Sequence, residues 1–550
     1  MPSFLTSQSA AKTAIPPGIL PIDEGMQSKR AGKTLARAVS LHLEGKRESA
    51  ARMLAKAIEG GEREPGLYSA LGHIQCEMGE FEAASETYRR LVETEPKHRI
   101  AHFNLGVCYG NLKKWKAATE SFRHAIEADG TRPDALLGLG LSLIHGGSPA
   151  QAAEALDKYL ELFPDNESAL FARAVALQKT GRYAEAAEQY RKVLSRNPRS
   201  EEALSNLVAM FLDRKDFASV RRYAAMLVEA RPDSVVATEA LATLAFSEQD
   251  FGEAAVHCQK LVEAAPERFE NWFNLGVAHH KNGDFEKAVE AYRQAAMVNP
   301  SSAQAHLNLG VASQELSDLE GARRCYERTL EIDSNQPGAM WNLALVLEQL
   351  NDRAQAETLY ARIPEGSPEW SDACFRLGYL KLLRGDYAAS AKVFLSCLGS
   401  RPDWPEASLN AGIALARSGQ PEEARRAFQD TLSIRPDSSD AVRGLAALAL
   451  EQEDYEEALQ LHRRLMELGE HSPELFYNAA LICQKRGQIE QAVAYYHKAL
   501  AENPQFAEAL LNLGHALMEL GQEEEARAHW RKAIREKPEL AQTYFDPPSA

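Results

Sequence analysis

Apolar residues recur along this chain in two stretches at helical spacing, and the pair of stretches returns every 34 residues. Counted from Ala31, fifteen blocks follow one another without insertion or deletion. They begin at Ala31, Pro65, Arg99, Pro133, Glu167, Glu201, Val235, Phe269, Ala303, Pro337, Ser371, Pro405, Ser439, Pro473 and Ala507, and the last ends at Leu540. The eighth block shows the pattern best. Trp272, Leu275, Val277 and Ala278 fall on one stretch, and Phe285, Ala288, Val289, Tyr292 and Ala295 on the other. This spacing predicts two amphipathic helices per block, here called A and B. Asn282-Gly283-Asp284 breaks the pattern between them, and Asn299-Pro300 ends the second. A fixed period of this length predicts an all-α solenoid in which each unit buries its apolar face on its neighbours.

The side-chain sizes follow the same frame. Position 8 of the block is Gly or Ala in fourteen of fifteen blocks, position 20 is Ala in thirteen, and position 32 is Pro in eleven. A ring recurs at position 24: Tyr88, Phe122, Tyr190, Tyr292, Tyr326, Tyr360, Phe394, Phe428, Tyr496 and Trp530. Small residues facing large ones let helical layers interdigitate at native density. Large at 4, Leu at 7, small at 8, Ala at 20, aromatic at 24, Ala at 27 and Pro at 32 resembles the tetratricopeptide repeat, over Ala31 to Leu540. The resemblance implies a right-handed superhelix of antiparallel helix pairs whose A helices line a concave groove. Within that family the pattern is similar to the superhelix of the O-linked N-acetylglucosamine transferases. Those proteins carry a catalytic half, whereas ten residues follow the last block here, so the resemblance implies binding without transfer.

Composition narrows the function further. The net charge of −16 disfavours nucleic acid, which needs clustered Lys and Arg. The basic run Lys113-Lys114-Trp115-Lys116 reads as a solvated turn before a B helix. Seven scattered cysteines without a CxxC pair read as small core fillers of a reducing compartment. No leader pattern and no long apolar run predict a cytoplasmic protein without membrane insertion. No phosphate loop, HExxH motif or nucleophile elbow is present, so neither an enzyme nor a cofactor is expected. His279-His280 and His98/His102 each lack a nearby third ligand, so no metal is expected.

The candidate surface is the arc of helix A opposite the packing stripe. Positions 2, 5, 6, 9, 12 and 13 share it at 3.6 residues per turn. Position 6 is Asn in eight blocks: Asn104, Asn206, Asn274, Asn308, Asn342, Asn410, Asn478 and Asn512. Asn is a mediocre helix former, and its amide offers both a donor and an acceptor. A row of such amides grips an extended peptide backbone whatever its sequence, and the transferases named above use such a ladder. Position 5 is apolar or aromatic in eleven blocks, among them Phe273, Leu307, Trp341, Phe375 and Tyr477. Burial between helices accounts for part of that, and Trp341 and Phe375 stand out as exposed anchors. Asn274, Asn308 and Asn342 beside Phe273, Leu307 and Trp341 form the longest run of both features and the expected ligand site. Position 9 is Val107, Leu141, Val277, Val311, Leu345 and Ile413, which excludes the carboxylate clamp of the chaperone-tail class.

The expected function is a non-catalytic scaffold that holds extended or helical segments of other proteins. A self-assembling structural protein and a recruiting subunit of a separate enzyme are the alternatives. The expected organisation is an arm over 1–30, blocks one to ten over 31–370, blocks eleven to fifteen over 371–540, and a tail over 541–550. The division rests on Pro364, which must end a B helix early, with Ser367-Pro368 as cap and first turn of the next helix. Block six carries Val208 and Val220 at the small positions and Ala224 at position 24, and block seven carries Cys258 there. Irregular packing with altered curvature is therefore expected over 201–268. The last pair looks poorly sealed, leaving Ala528 and Trp530 to meet a partner or a second copy through the solenoid end.

Overall fold

Thirty helices in pairs, from Lys29–Leu43 to Glu523–Glu536, and a closing 3-10 turn at Pro538–Ala541 make up the described structure, with no strand among the described residues. It is a computed structural model, and it describes residues 29–128 and 132–541. The N-terminal arm up to residue 28 and the tail after Ala541 lie outside the described residues, as does 129–131. Helix B begins at position 17 in all fifteen blocks, from Arg47 through Phe217 and Phe285 to Glu523. The fold is thus the repeating helix pair that the 34-residue period predicts. Two compact units are formed, one ending at Lys287 and one beginning at Ala288.

Within each unit the pairs are held by ring 24 seated against position 8. A Cβ added to Gly106 would lie 2.8 Å from the ring of Phe122, and one added to Gly412 would lie 2.6 Å from that of Phe428. The same ring reaches position 6 of the next block, where a Cβ on Gly138 or Gly444 would lie 2.6 or 2.5 Å from Phe122 or Phe428. These glycines are therefore steric requirements, since real Cβ atoms do not approach so closely. Tyr88, Tyr190, Tyr326 and Tyr496 are fully buried in this way.

The A–B turn has a feature that residue types alone conceal. Position 15 is left-handed in every block, nine times as glycine and six times as Lys113, Lys215, Gln249, Ser317, Asn351 or Glu453, with φ between 56° and 64°. The turn geometry is set by the helix pair, so the residue must follow it whatever its type. A side chain in that region costs about 1–2 kcal/mol, offset in part by glycine's larger freedom in the unfolded chain. Lys215→Gly, Gln249→Gly and Glu453→Gly are each expected to stabilise by about 0.5–1 kcal/mol. Thermal melts check this, and an unchanged or lowered Tm in all three would refute it.

Block six departs as its sequence requires. Val208 and Val220 are buried, and the ring has moved one place to Tyr223, which stacks on Phe211 with centroids 5.7 Å apart. Pro364 shortens the B helix of block ten to Arg353–Arg362. Ser367-Pro368, however, is not the start of the next helix, which runs Trp370–Arg384 with Glu369 at its cap. Ser367 instead closes the turn behind it, its Oγ donating to the Pro364 carbonyl at 2.8 Å. The C-terminal expectation is also corrected. Trp530 is 7% exposed. Its indole Nε1 donates to the Leu511 carbonyl at 3.1 Å, and Leu540 of the closing turn packs on the same core. A bulky ring opposite Gly514 is drawn into its own repeat, so of Ala528 and Trp530 only Ala528 stays exposed.

Candidate functional site

Position 5 of helix A lies over ring 24 of its own block. Phe103 meets Phe122 at 5.8 Å, Phe171 meets Tyr190 at 5.7 Å, Trp341 meets Tyr360 at 5.6 Å and Phe375 meets Phe394 at 5.6 Å. Burial then divides the series. Phe103, Leu137, Phe171 and Leu511 are buried, while Phe273, Leu307, Trp341, Phe375, Leu409 and Tyr477 are half-buried. Trp341 and Phe375 are therefore partly covered, and Phe375 also stacks on Trp404 at 4.7 Å.

The asparagines divide for a different reason, which depends on the block before them. Ring 24 is often tyrosine, and its hydroxyl is buried. Burial holds the phenol of Tyr190 protonated, well above the usual tyrosine range. That hydroxyl donates to Gln178 at position 12 of its own block, at 2.8 Å, and Asn206 bonds it from the next block. The arrangement recurs. Tyr496 donates to Gln484 at 2.6 Å, and Asn512 bonds both Tyr496 and, at 2.9 Å, the Tyr477 hydroxyl. Asn308 bonds Tyr292, and Asn104 donates to Tyr88 at 2.9 Å. Asn104 is 2% exposed, and its Oδ1 has no partner. These four amides thus face buried hydroxyls, adding to the bonds that Tyr190 and Tyr496 make with Gln178 and Gln484.

The other four are not so committed. Asn274 follows Cys258, Asn410 follows Phe394 and Asn478 follows His462, none of which offers a phenol. Asn342 follows Tyr326, whose hydroxyl donates to Gln314 at 3.0 Å. Asn274 and Asn478 are exposed, and Asn342 and Asn410 are half-buried. Sequence reasoning treated all eight alike; the identity of residue 24 one block earlier is a signal that sorts seven of the eight, and Asn342, which follows Tyr326, is the exception.

The cysteines suit a filling role. Cys258 is 1% exposed, and burial pushes its thiol up to about 12, so it stays protonated and unreactive. His98 and His102 are engaged locally, His98 Nδ1 accepting from the Ala101 amide at 3.1 Å and His102 Nε2 lying 2.8 Å from the Pro96 carbonyl oxygen. Among the described residues, one cluster brings three potential metal ligands together: His42, His73 and Glu77. Glu77 already faces the Arg47 guanidinium at 3.1 Å, so its charge is compensated without an ion. The cluster escaped the sequence reading because His42 and His73 lie in different blocks. No helix among the described residues is long and apolar enough to cross a membrane.

Family models agree with this architecture. A tetratricopeptide repeat model matches residues 69–133, 110–167, 239–297, 273–337, 307–369, 375–432 and 409–473. Two further models of the same repeat match 167–200 and 484–542. No curated protein matches the chain. Among solved structures, YrrB, described as a TPR protein with an unusual peptide-binding site, is 21% identical. That match covers 34% of this chain and 96% of YrrB, with a TM-score of 0.31. MamA is 21% identical over 30% of this chain and 97% of its own, with a TM-score of 0.28. A chain of the Naa15/Naa10 complex bound to HypK-THB is 15% identical, covering 94% of this chain and 84% of that one, with a TM-score of 0.36.

Proposed function

The chain belongs to the tetratricopeptide repeat family, and from that premise we propose that it is a non-catalytic scaffold that captures extended segments of partner proteins on its A helices. One observation carries this reading. In the unit from Ala288 onward, uncommitted amides sit beside half-buried apolar side chains: Asn342 beside Trp341, Asn410 beside Leu409, and Asn478 beside Tyr477. An amide that serves no internal hydroxyl can pair with a peptide N–H and C=O at once. The neighbouring apolar face supplies the contact area that anchors a segment. The recurrence is at alternate blocks, ten, twelve and fourteen, because block eleven has Arg376 and block thirteen Gly444 at position 6. Backbone recognition repeated in this way favours extended, sequence-tolerant binding, with side-chain selectivity left to the surface between.

The test is a random-peptide phage library selected on the full chain, followed by photo-crosslinking from a benzophenone placed in a selected peptide. Crosslinks should fall on A helices of blocks ten to fourteen, around positions 5, 6 and 9. Crosslinks confined to B helices would overturn the proposal.

A further inference from the structure

Four departures from the repeat converge on one place. Block seven has Cys258 where ten blocks have an aromatic ring, and Glu239 where eleven blocks have an apolar or aromatic position 5. Block eight has Asn271 at position 3, which is alanine in eleven blocks, and Asn274 at position 6 with no tyrosine hydroxyl to serve. Together they border a cavity of about 210 Å³ between the A helices of blocks six, seven and eight. Val208, Leu212, Phe246 and Leu261 form apolar wall, and Cys258 closes it from helix B. Asn271 is 5% exposed and held rigidly, its Nδ2 donating to the carbonyls of Leu261 at 2.8 Å and Ala265 at 3.1 Å. Glu239 is fixed at the edge by Arg268, Oε1 to Nη1 3.0 Å.

We propose that this cavity is a binding pocket for a phenol ring, the tyrosine side chain of a partner segment. The volume argument is direct: a dry apolar cavity of roughly 150 Å³ suffices for benzene. The chemical argument comes from the sister interfaces. There a buried tyrosine fills this space and an asparagine at position 6 meets its hydroxyl, as at Tyr88 and Asn104, 2.9 Å apart. In block seven the ring is missing while the asparagine remains, at Asn274. A partner's tyrosine restores both the packing and the hydrogen bond, with the Glu239 carboxylate as a second acceptor at the edge. The source of the ring rests on the peptide-capture reading; the pocket itself does not.

The probe is p-cresol, the tyrosine side-chain analogue, with toluene as its counterpart lacking the hydroxyl, titrated into the full chain by ligand-observed NMR. Wild type should bind p-cresol saturably. Cys258→Tyr, which fills the pocket with the ring found elsewhere in the repeat, should weaken it at least tenfold; Ala209→Leu, narrowing the pocket from block six, gives an independent check should the first variant fold poorly. Asn274→Ala should weaken p-cresol by about tenfold and leave toluene unchanged. No saturable p-cresol binding, or binding unchanged in both filled variants, would overturn the pocket. Retained p-cresol binding in a chain that selects no tyrosine-bearing peptide would support the pocket and overturn the peptide as its source.

Discussion

Replacing Tyr190 with alanine is expected to cost about 3–5 kcal/mol, the range for deleting a buried ring from a core. The side chain is fully buried, packs edge-on against Phe171 at 5.7 Å and carries the hydroxyl that Gln178 accepts and Asn206 bonds. Its removal opens a void at the boundary of blocks five and six and strands the two amides. Tyr190→Phe keeps the ring and strands the amides alone, for about 1–3 kcal/mol. Since each block of a solenoid contacts only its neighbours, the loss should be local. Calorimetry should show the wild-type transition split or broadened in Tyr190→Ala, with the blocks on either side melting separately. A single transition at the wild-type temperature would contradict the role assigned to ring 24.

The parts of this architecture that were legible in the sequence are those in which one residue type answers one steric need. Glycine at 106 or 412 and a ring at 122 or 428 specify each other, so the helix pair and its stacking could be read from spacing. The left-handed turn residue was half-hidden, because Lys215 or Glu453 gives no sign that the backbone there is forced positive. The short B helix of block ten followed from Pro364, whose ring cannot continue it. Where Ser367 would direct its hydroxyl could not be read, since helix cap and turn closure use the same side chain. Trp530 was misjudged because its coverage comes from Gly514 and the closing turn, features that a count of helices does not weigh. The irregularity of blocks six and seven was visible as missing rings, but whether bulk returned nearby was not. In block six it returned as Tyr223; beside Cys258 a cavity remains.

The asparagine row shows the same division at the level of function. A recurring residue at one position suggested one role, yet half of these amides face buried phenols and half meet no phenol among the described residues. Removing Asn342, Asn410 and Asn478 together should therefore reduce affinity for a selected peptide by about 10- to 1,000-fold, at roughly 0.5–1.5 kcal/mol for each amide. Their stability change should stay within about 0.5 kcal/mol each, as for surface positions away from the packing. Asn308→Ala with Asn512→Ala should behave in the opposite way, destabilising by about 0.5–1.5 kcal/mol per lost hydrogen bond while leaving the uncommitted amides in place.

Isothermal titration of one selected peptide into wild type, the triple variant and the Asn308→Ala/Asn512→Ala variant, each with its melting curve, separates these roles most directly. Loss of affinity with an intact melt in the triple variant, and a lowered melt with retained affinity in the double variant, is the predicted result. A triple variant that binds like wild type would contradict peptide capture by the free asparagines.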